Sequence, residues 1–254
     1  MKVTLLGTGT SHGVPAIGCA CEVCRSADPR DRRLRPSILI ETGGLHVLVD
    51  TSTDLRAQAL SCDLRRVDAI LYTHSHADHV LGLDDVRRFN ALQRTAIPVY
   101  ADAPTLEALR RMFAYIFSPP EDYAGAVAQL AASRIVGPFT LGGAEFVPVP
   151  LYHGRRLILG FRAGDFAYLT DCNRIPDASW PLLDGVKVLV LDALRERPHP
   201  THFSLGEALE AVARIAPERA YFTHVCHDLP HASTCARLPR GVELGYDGLV
   251  LEIA

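Results

Sequence analysis

The stretch LYTHSHADHVLG, residues 71–82, sets three histidines and an aspartate within six positions directly after an apolar run. Imidazole nitrogens and carboxylate oxygens are the usual ligands of zinc and similar borderline divalent ions, and a catalytic site leaves one coordination position open to water. The choice is therefore between a solvated loop that happens to be rich in histidine and a metal site. His74 and His76 lie two apart, so on an extended backbone they project to the same side. Asp78 and His79 follow after a tight turn. Four ligand-type side chains can thus converge from one loop, but as two pairs, since His74 with His76 and Asp78 with His79 point from different parts of it.

Strand-length apolar segments recur from end to end: KVTLLGT, SILIET, LHVLVDT, AILYTH, IPVYA, EFVPVPLYH, LILGFRA, FAYLTD, VKVLVLDA, RAYFTH and GLVLEIA. Each ends in a turn or polar cluster, as sheet elements do. APTLEALRRMFAYIF and SLGEALEAVARIA carry apolar residues at three- and four-residue spacing and read as helices. The chain is thus mixed α and β. Metal-type residues stand at the C-terminal ends of several strands: Asp50, His74, His153, Asp171 and His224. Strand ends and the loops after them are where rigid sheets present functional groups. The stretch 118–137 reads as an inserted or mobile surface segment.

At 254 residues, one domain spanning 1–254 is expected. An apolar content of 48% supports a sizeable core. A net charge of −3 supplies no basic field of the kind that nonspecific nucleic-acid binding needs, so a stable polynucleotide partner is disfavoured. The N-terminus reads as a first strand, with neither the length nor the small-residue pattern of a secretion signal. No window offers the roughly 20 apolar residues of a membrane span, so no membrane partner is expected. Of the seven cysteines, Cys19, Cys21 and Cys24 are too clustered for a spread disulfide framework. A reducing, cytoplasmic setting fits better, where clustered thiolates more often hold a metal than bridge one another. Cys62, Cys172 and Cys235 have no partner pattern.

HxHxDH, standing here as His74 to His79, resembles the signature of the metallo-β-lactamase fold hydrolases. The resemblance implies a four-layer αββα sandwich, with the site in a cleft along one edge. It also implies further ligands at strand ends, and His153, Asp171 and His224 occur in that order. One metal would take His74, His76 and His153, the other Asp78, His79 and His224, with Asp171 bridging. Two such ions, about 3.5–4 Å apart, would hold a bridging hydroxide as nucleophile, and no separate strong base would be needed. Asp50 matches the family's buried aspartate that orients a ligand histidine, a sensible arrangement because a ligating imidazole usually donates its other N–H. Zinc, manganese and iron are all compatible with these donors.

The stretch GTGTSHGVPAIGCACEVC, residues 7–24, resembles a narrower group, the cyclic phosphodiesterases of bacterial phosphonate catabolism and their relatives. In that group three clustered cysteines bind a structural zinc together with a late histidine. HVCHDLPH, residues 224–231, offers His227, with Cys226 and His231 as competitors. The same relatives carry a general acid before a late helix, which places His202 in that role, with His199 as its alternative. The candidate catalytic residues are then His202 and Asp78, and Ser11 or His12 would stand near substrate. What the resemblance implies is two catalytic divalent ions, zinc or manganese, one structural zinc, a small cyclic ribose or nucleotide phosphodiester as substrate, and a homodimer. Other readings are a thioester or lactam hydrolase, an RNA-processing nuclease, and a non-hydrolytic relative of the quinone-cofactor biosynthesis protein.

Overall fold

The structure is a computed structural model that describes residues 1–122 and 125–253. Two seven-stranded sheets face one another. The first holds β1 (Lys2–Gly7), β2 (Ser37–Thr42), β3 (Leu45–Val49), β4 (Ala69–Leu71), β5 (Ile97–Ala101) and β6 (Leu130–Arg134), with a C-terminal strand, β14 (Val250–Glu252), added beside β1. The second holds β7 (Phe139–Leu141), β8 (Ala144–His153), β9 (Arg156–Ala163), β10 (Phe166–Leu169), β11 (Val188–Asp192), β12 (Arg219–Thr223) and β13 (Val242–Leu244). Pairing is antiparallel from β14 to β3 and parallel from β3 to β6. In the second sheet it is antiparallel from β7 to β10 and parallel from β10 to β13.

Uninterrupted apolar strands follow from burial on both faces. Along β3, Val47 and Val49 pack between the sheets while Leu48 packs outward; along β11, Val188 and Val190 point in and Leu189 and Leu191 point out. Outer faces are covered by helices. On the first sheet lie α1 (Leu55–Ser61), α3 (Val86–Gln93) and α4 (Ala103–Met112), through Leu55, Val86, Phe89, Leu106 and Leu109. The second is covered by α6 (Leu205–Ile215), through Leu205, Ala208, Ala211 and Val212. The four-layer αββα order expected from the sequence is the order found.

Local chemistry sets the helix starts. Asp102 caps α4 by accepting from Thr105 N at 2.9 Å, and Ser204 with Glu207 forms a full capping box on α6. The periodic run after residue 102 breaks at Phe113 into α4 and a short α5 (Ala114–Phe117). Two further short helices, α2 (Ala77–Val80) and α7 (His231–Cys235), were not evident from periodicity, nor were α1 and α3. The stretch 118–137 is corrected in part: it ends in β6, an edge strand parallel to β5, whose sequence LAASR is too exposed to carry the apolar signal of an inner strand. Its positions 123 and 124 lie outside the described residues. Among the described residues no helix is long and apolar enough to cross a membrane.

Two hairpin turns touch where the sheets face each other. Gly43 has φ +55°, and a Cβ there would come within 1.7 Å of the Gly142 carbonyl oxygen, whereas Gly44, at φ +78°, faces open space. Alanine at position 44 should therefore cost only the left-handed penalty, about 1 kcal/mol. Gly43→Ala adds a backbone collision and should cost at least about 2 kcal/mol more, with the turns forced apart. Urea unfolding of the two variants checks this difference.

Candidate metal centre

The parallel strands of both sheets end on one edge, and the polar residues found at strand ends gather there. Asp50 follows β3, His74 stands three residues beyond β4, His153 closes β8, Asp171 follows β10, Asp192 closes β11 and His224 follows β12. Asp50, Asp171 and His224 have φ values of 64°, 56° and 60°. Non-glycine residues in this left-handed region carry strain of order ~1 kcal/mol or more each and persist only where their surroundings over-determine them. The chain turns sharply at each point to aim a side chain along the edge rather than continue the strand.

These side chains form two groups with a common member. One ligand atom from each of His74, His76, His153 and Asp171, and likewise from Asp78, His79, Asp171 and His224, lies within 4.8 Å of the others in its group. Asp171 belongs to both. Its Oδ2 is 3.6 Å from His74 Nε2, and its Oδ1 is 3.2 Å from His79 Nε2 and 2.9 Å from His224 Nε2. Asp78 Oδ2 stands 3.4 Å from both His79 Nε2 and His224 Nε2. All of these except the half-buried His76 are buried.

Outer contacts orient the rings. His79 Nδ1 donates to Asp50 Oδ2 at 2.7 Å, and Asp50 is itself held by Thr73 N and Thr73 Oγ1, each at 2.8 Å. His153 Nδ1 donates to the Thr201 carbonyl at 2.9 Å. With the outer nitrogen protonated, the inner one is left as an acceptor. His74 Nε2 and His79 Nε2 are buried without a hydrogen-bond partner, an arrangement that calls for a cation or a proton.

The electrostatics agree with that need. Burial alone would raise the Asp171 carboxyl, but His224 and His79 outweigh it and hold it well below the usual carboxylate range; Asp78 is held down by the same balance. Burial opposes charge on His224, yet Asp171 and Asp78 push it up to about 10. His79 is raised against burial by Asp171, Asp78 and Asp50. Burial and the neighbouring His79 hold His74 well below the ordinary imidazole value. The carboxylates thus gather positive charge between them, and the donor set suits divalent ions.

His202 stands against this cluster. Its ring stacks on His224 with centroids 4.6 Å apart and meets His153 edge-on at 4.8 Å. Asp192 Oδ2 accepts from His202 Nδ1 at 3.0 Å and from Cys172 N at 2.9 Å. The sequence reading missed Asp192, although VKVLVLD ends in a carboxylate as visibly as the strands that were read. His199 lies further out, its ring centroid 5.0 Å from that of His202. The opening glycine-rich loop reaches the edge through Thr10 N, which donates to Val225 O at 3.2 Å. Ser11 and His12 are exposed on that loop.

A second cluster forms from the cysteines. His227 Nδ1 is 3.3 Å from Cys19 Sγ, 3.8 Å from Cys21 Sγ and 3.4 Å from Cys24 Sγ. A tetrahedral zinc with ordinary bond lengths sets sulfur and nitrogen ligands about 3.5 Å apart, so the spacing fits. Its two competitors lie elsewhere: Cys226 Sγ accepts from Asp228 N, and His231 Nε2 is 3.7 Å from Cys235 Sγ. Burial pushes Cys24 up to about 11, whereas the backbone N–H of Cys24 lowers Cys21. Arg33, fully buried, holds the histidine-bearing loop in place by donating to Cys226 O at 2.9 Å, Leu229 O at 2.8 Å and Asp31 Oδ1 at 3.1 Å.

The family model described as a β-lactamase superfamily domain matches residues 46–225, and the chain belongs to that superfamily in its metallo-β-lactamase form. The crystal structure of a diphosphatase from the PhnP family superposes with a TM-score of 0.93 at 47% identity, covering 100% of this chain and 98% of that one. Zn(2+)-bound PqqB from Methylobacterium extorquens shares the fold, with a TM-score of 0.78 at 21% identity over the whole of both chains. An octanoyltransferase of Porphyromonas gingivalis is 36% identical over 252 residues, which is 98% of this chain and 51% of that protein. The chain therefore spans about half the length of that relative.

The Arg33 clamp yields a test of its own. Lysine keeps the charge but presents its donors from one point and cannot span two carbonyls and a carboxylate. Arg33→Lys should cost about 3 kcal/mol and lower the melting temperature by about 6–12 °C, read by calorimetry.

Proposed function

We propose that the protein is a dinuclear metal-dependent phosphoric diester hydrolase. The observation that carries this reading is the sharing of Asp171 between two groups of three further ligands, with the Asp192–His202 pair stacked directly against one of them. The metal ligands are His74, His76 and His153 on one side and Asp78, His79 and His224 on the other. Bound there, two divalent ions, zinc or manganese, supply Lewis acidity toward phosphoryl oxygens and lower the pKa of coordinated water. A third, structural zinc is held by Cys19, Cys21, Cys24 and His227.

The chain's own residues do the rest. Asp50 keeps the His79 ring turned inward with its proton on Nδ1. His202 carries the proton that the departing oxygen needs, and Asp192 holds its Nδ1–H so that the opposite nitrogen faces the cleft. Asp78 serves as a ligand and, beside His79 and His224, holds buried negative charge within the site. Support comes from the PhnP-family diphosphatase at 47% identity, and from a ribonuclease Z of Bradyrhizobium sp. that is 36% identical over 90 residues, 30% of that protein. The substrate class is a small phosphodiester, with a cyclic ribose or nucleotide phosphate as one member, and the net charge of −3 argues against a long RNA. Seven unbridged cysteines support a cytoplasmic setting. We read residues 1–254 as one domain and carry the homodimer over from the narrower group.

Metal analysis joined to a substrate panel tests the reading. About three metals per chain, with turnover of bis(p-nitrophenyl) phosphate that disappears on chelation and in His76→Ala, is expected. Turnover confined to a thioester or a lactam would retain the fold and reject the phosphodiesterase. His202→Ala should lower kcat by roughly 10²–10⁴-fold when the leaving group is a ribose alkoxide. Its effect should be much smaller for p-nitrophenolate, which leaves without a proton. Equal losses on both substrates would remove His202 from the acid role.

A further inference from the structure

Asp247 is an ionisable side chain that the metal centre does not use. It stands in the turn that carries the chain from β13 in the second sheet to β14 in the first, and that turn is fixed on both sides. Gly245 N donates to Phe222 O of β12 at 2.8 Å, and Gly248 N donates to Leu5 O of β1 at 2.7 Å. From there the carboxylate reaches the opening of the chain. Its Oδ1 accepts from Thr8 N at 2.9 Å and from Thr8 Oγ1 at 2.8 Å, and its Oδ2 accepts from Leu34 N at 2.6 Å. Three donors from two segments, 239 and 213 residues away in sequence, thus meet on one carboxylate. Hydrogen bonds to an ionised acceptor are the strong ones, so this contact locks both segments together.

The segments so held lead to the metal edge. Gly9 N donates to Leu34 O at 2.8 Å, which ties the glycine-rich loop to the residue that Asp247 grips. Val225 N donates to Thr8 O at 2.9 Å and Val225 O accepts from Thr10 N at 3.2 Å, so Gly9 and Val225 pair as a parallel bridge. Val225 directly follows His224, whose backbone is left-handed at φ 60°. A non-glycine residue keeps that conformation only where its surroundings over-determine it. Asp171 and Asp78 meet the ring of His224, while Thr8 and Thr10 hold the backbone just beyond it. His74 and His76 follow β4 and His153 closes β8, and none of these bonds touches either strand.

We propose that Asp247 is a positioning residue for one half of the metal centre. Through Thr8 and Val225 it fixes the turn at His224, and so sets the affinity of the Asp78, His79 and His224 group while leaving that of the His74, His76 and His153 group alone. The inference rests on the dinuclear reading, with His224 as a ligand. Asp247 itself stands outside both groups and undergoes no bond change.

Manganese titration of the full chain, with the free ion followed by electron paramagnetic resonance, tests this. Manganese suits carboxylate and imidazole donors better than the thiolate cluster, so the titration reads the two edge groups. Burial pushes the Asp247 carboxyl up to about 7 over the opposing pull of the Leu34 and Thr8 hydrogen bonds and of Arg33, so work at pH 8 keeps it ionised. Asp247→Asn brings an amide N–H2 to a carboxylate that meets only donors. One of the two manganese affinities should then fall about tenfold, with the other within about twofold of wild type. Thr8→Val removes a single donor and should lower the same affinity about threefold. Hydrogen exchange at the Val225 and Thr10 amides of Asp247→Asn should quicken about tenfold while the Tyr221 and Phe222 amides hold. Gly43→Ala, altered at the end of β3 opposite the metal edge, should leave both affinities unchanged. A parallel fall in both affinities, or the same fall in Gly43→Ala, would mark a general loss of stability and overturn the proposal. Faster exchange at Val225 with both affinities unchanged would overturn it too, and would leave the dinuclear reading standing. A wild-type chain that binds no pair of ions would remove both.

Discussion

Asp171 is the residue on which the rest of this structure converges. It stands just past β10 with φ 56°, and its two carboxylate oxygens face different clusters: Oδ2 toward His74, Oδ1 toward His79 and His224. His74, His76, Asp78 and His79 come from the first sheet's edge, whereas His153, Asp171 and His224 come from the second. The carboxylate therefore joins the two sheets at the point where their parallel strands run out. A buried charge in that position is tolerated only when opposite charge surrounds it. The folded chain supplies histidines for the purpose, and the site they form holds two divalent ions in the proposed reading.

The second cluster bears on the first. His224 and His227 stand on one loop, three residues apart, one facing Asp171 and the other facing Cys19, Cys21 and Cys24. Arg33 grips the same loop at Cys226 and Leu229, and Thr10 and Val225 bind the glycine-rich opening to it. What looks in sequence like two separate motifs, an early cysteine triplet and a late HVCH, is one brace around a residue of the metal edge. A zinc bound by Cys19, Cys21, Cys24 and His227, as proposed, would fix His224 by fixing its loop.

Much of this was legible because the signals are local. The histidine run follows a strand, and its spacing alone points to four ligand-type residues on one loop, although the short helix α2 that carries Asp78 and His79 was not evident. Stretches buried on both faces, such as VLV in β3 and VLVL in β11, are continuous apolar runs, and eleven strand-length segments read from the sequence correspond to strands. The three strands that were missed, β6, β7 and β13, are short edge elements whose pairing, rather than their composition, makes them strands. Helices α1 and α3 were missed because each buries a polar residue, Gln58 or Asn90, and exposes a leucine, Leu60 or Leu92, which blurs the periodic signal. Asp192 was visible as a strand-end carboxylate but has meaning only beside His202, ten residues away. Arg33 reads as one basic residue among many until the fold closes the 226–229 loop over it. The contact between the Gly43 and Gly142 turns is likewise a product of the whole fold.

Electron paramagnetic resonance of the manganese-loaded protein tests the central claim most directly, because exchange coupling reports whether two ions share a bridging ligand. The account predicts the broadened, multiline spectrum of a coupled pair at full loading, replaced by the six-line signal of an isolated ion in Asp171→Asn. A fully loaded wild-type protein that shows only isolated-ion signals would contradict it.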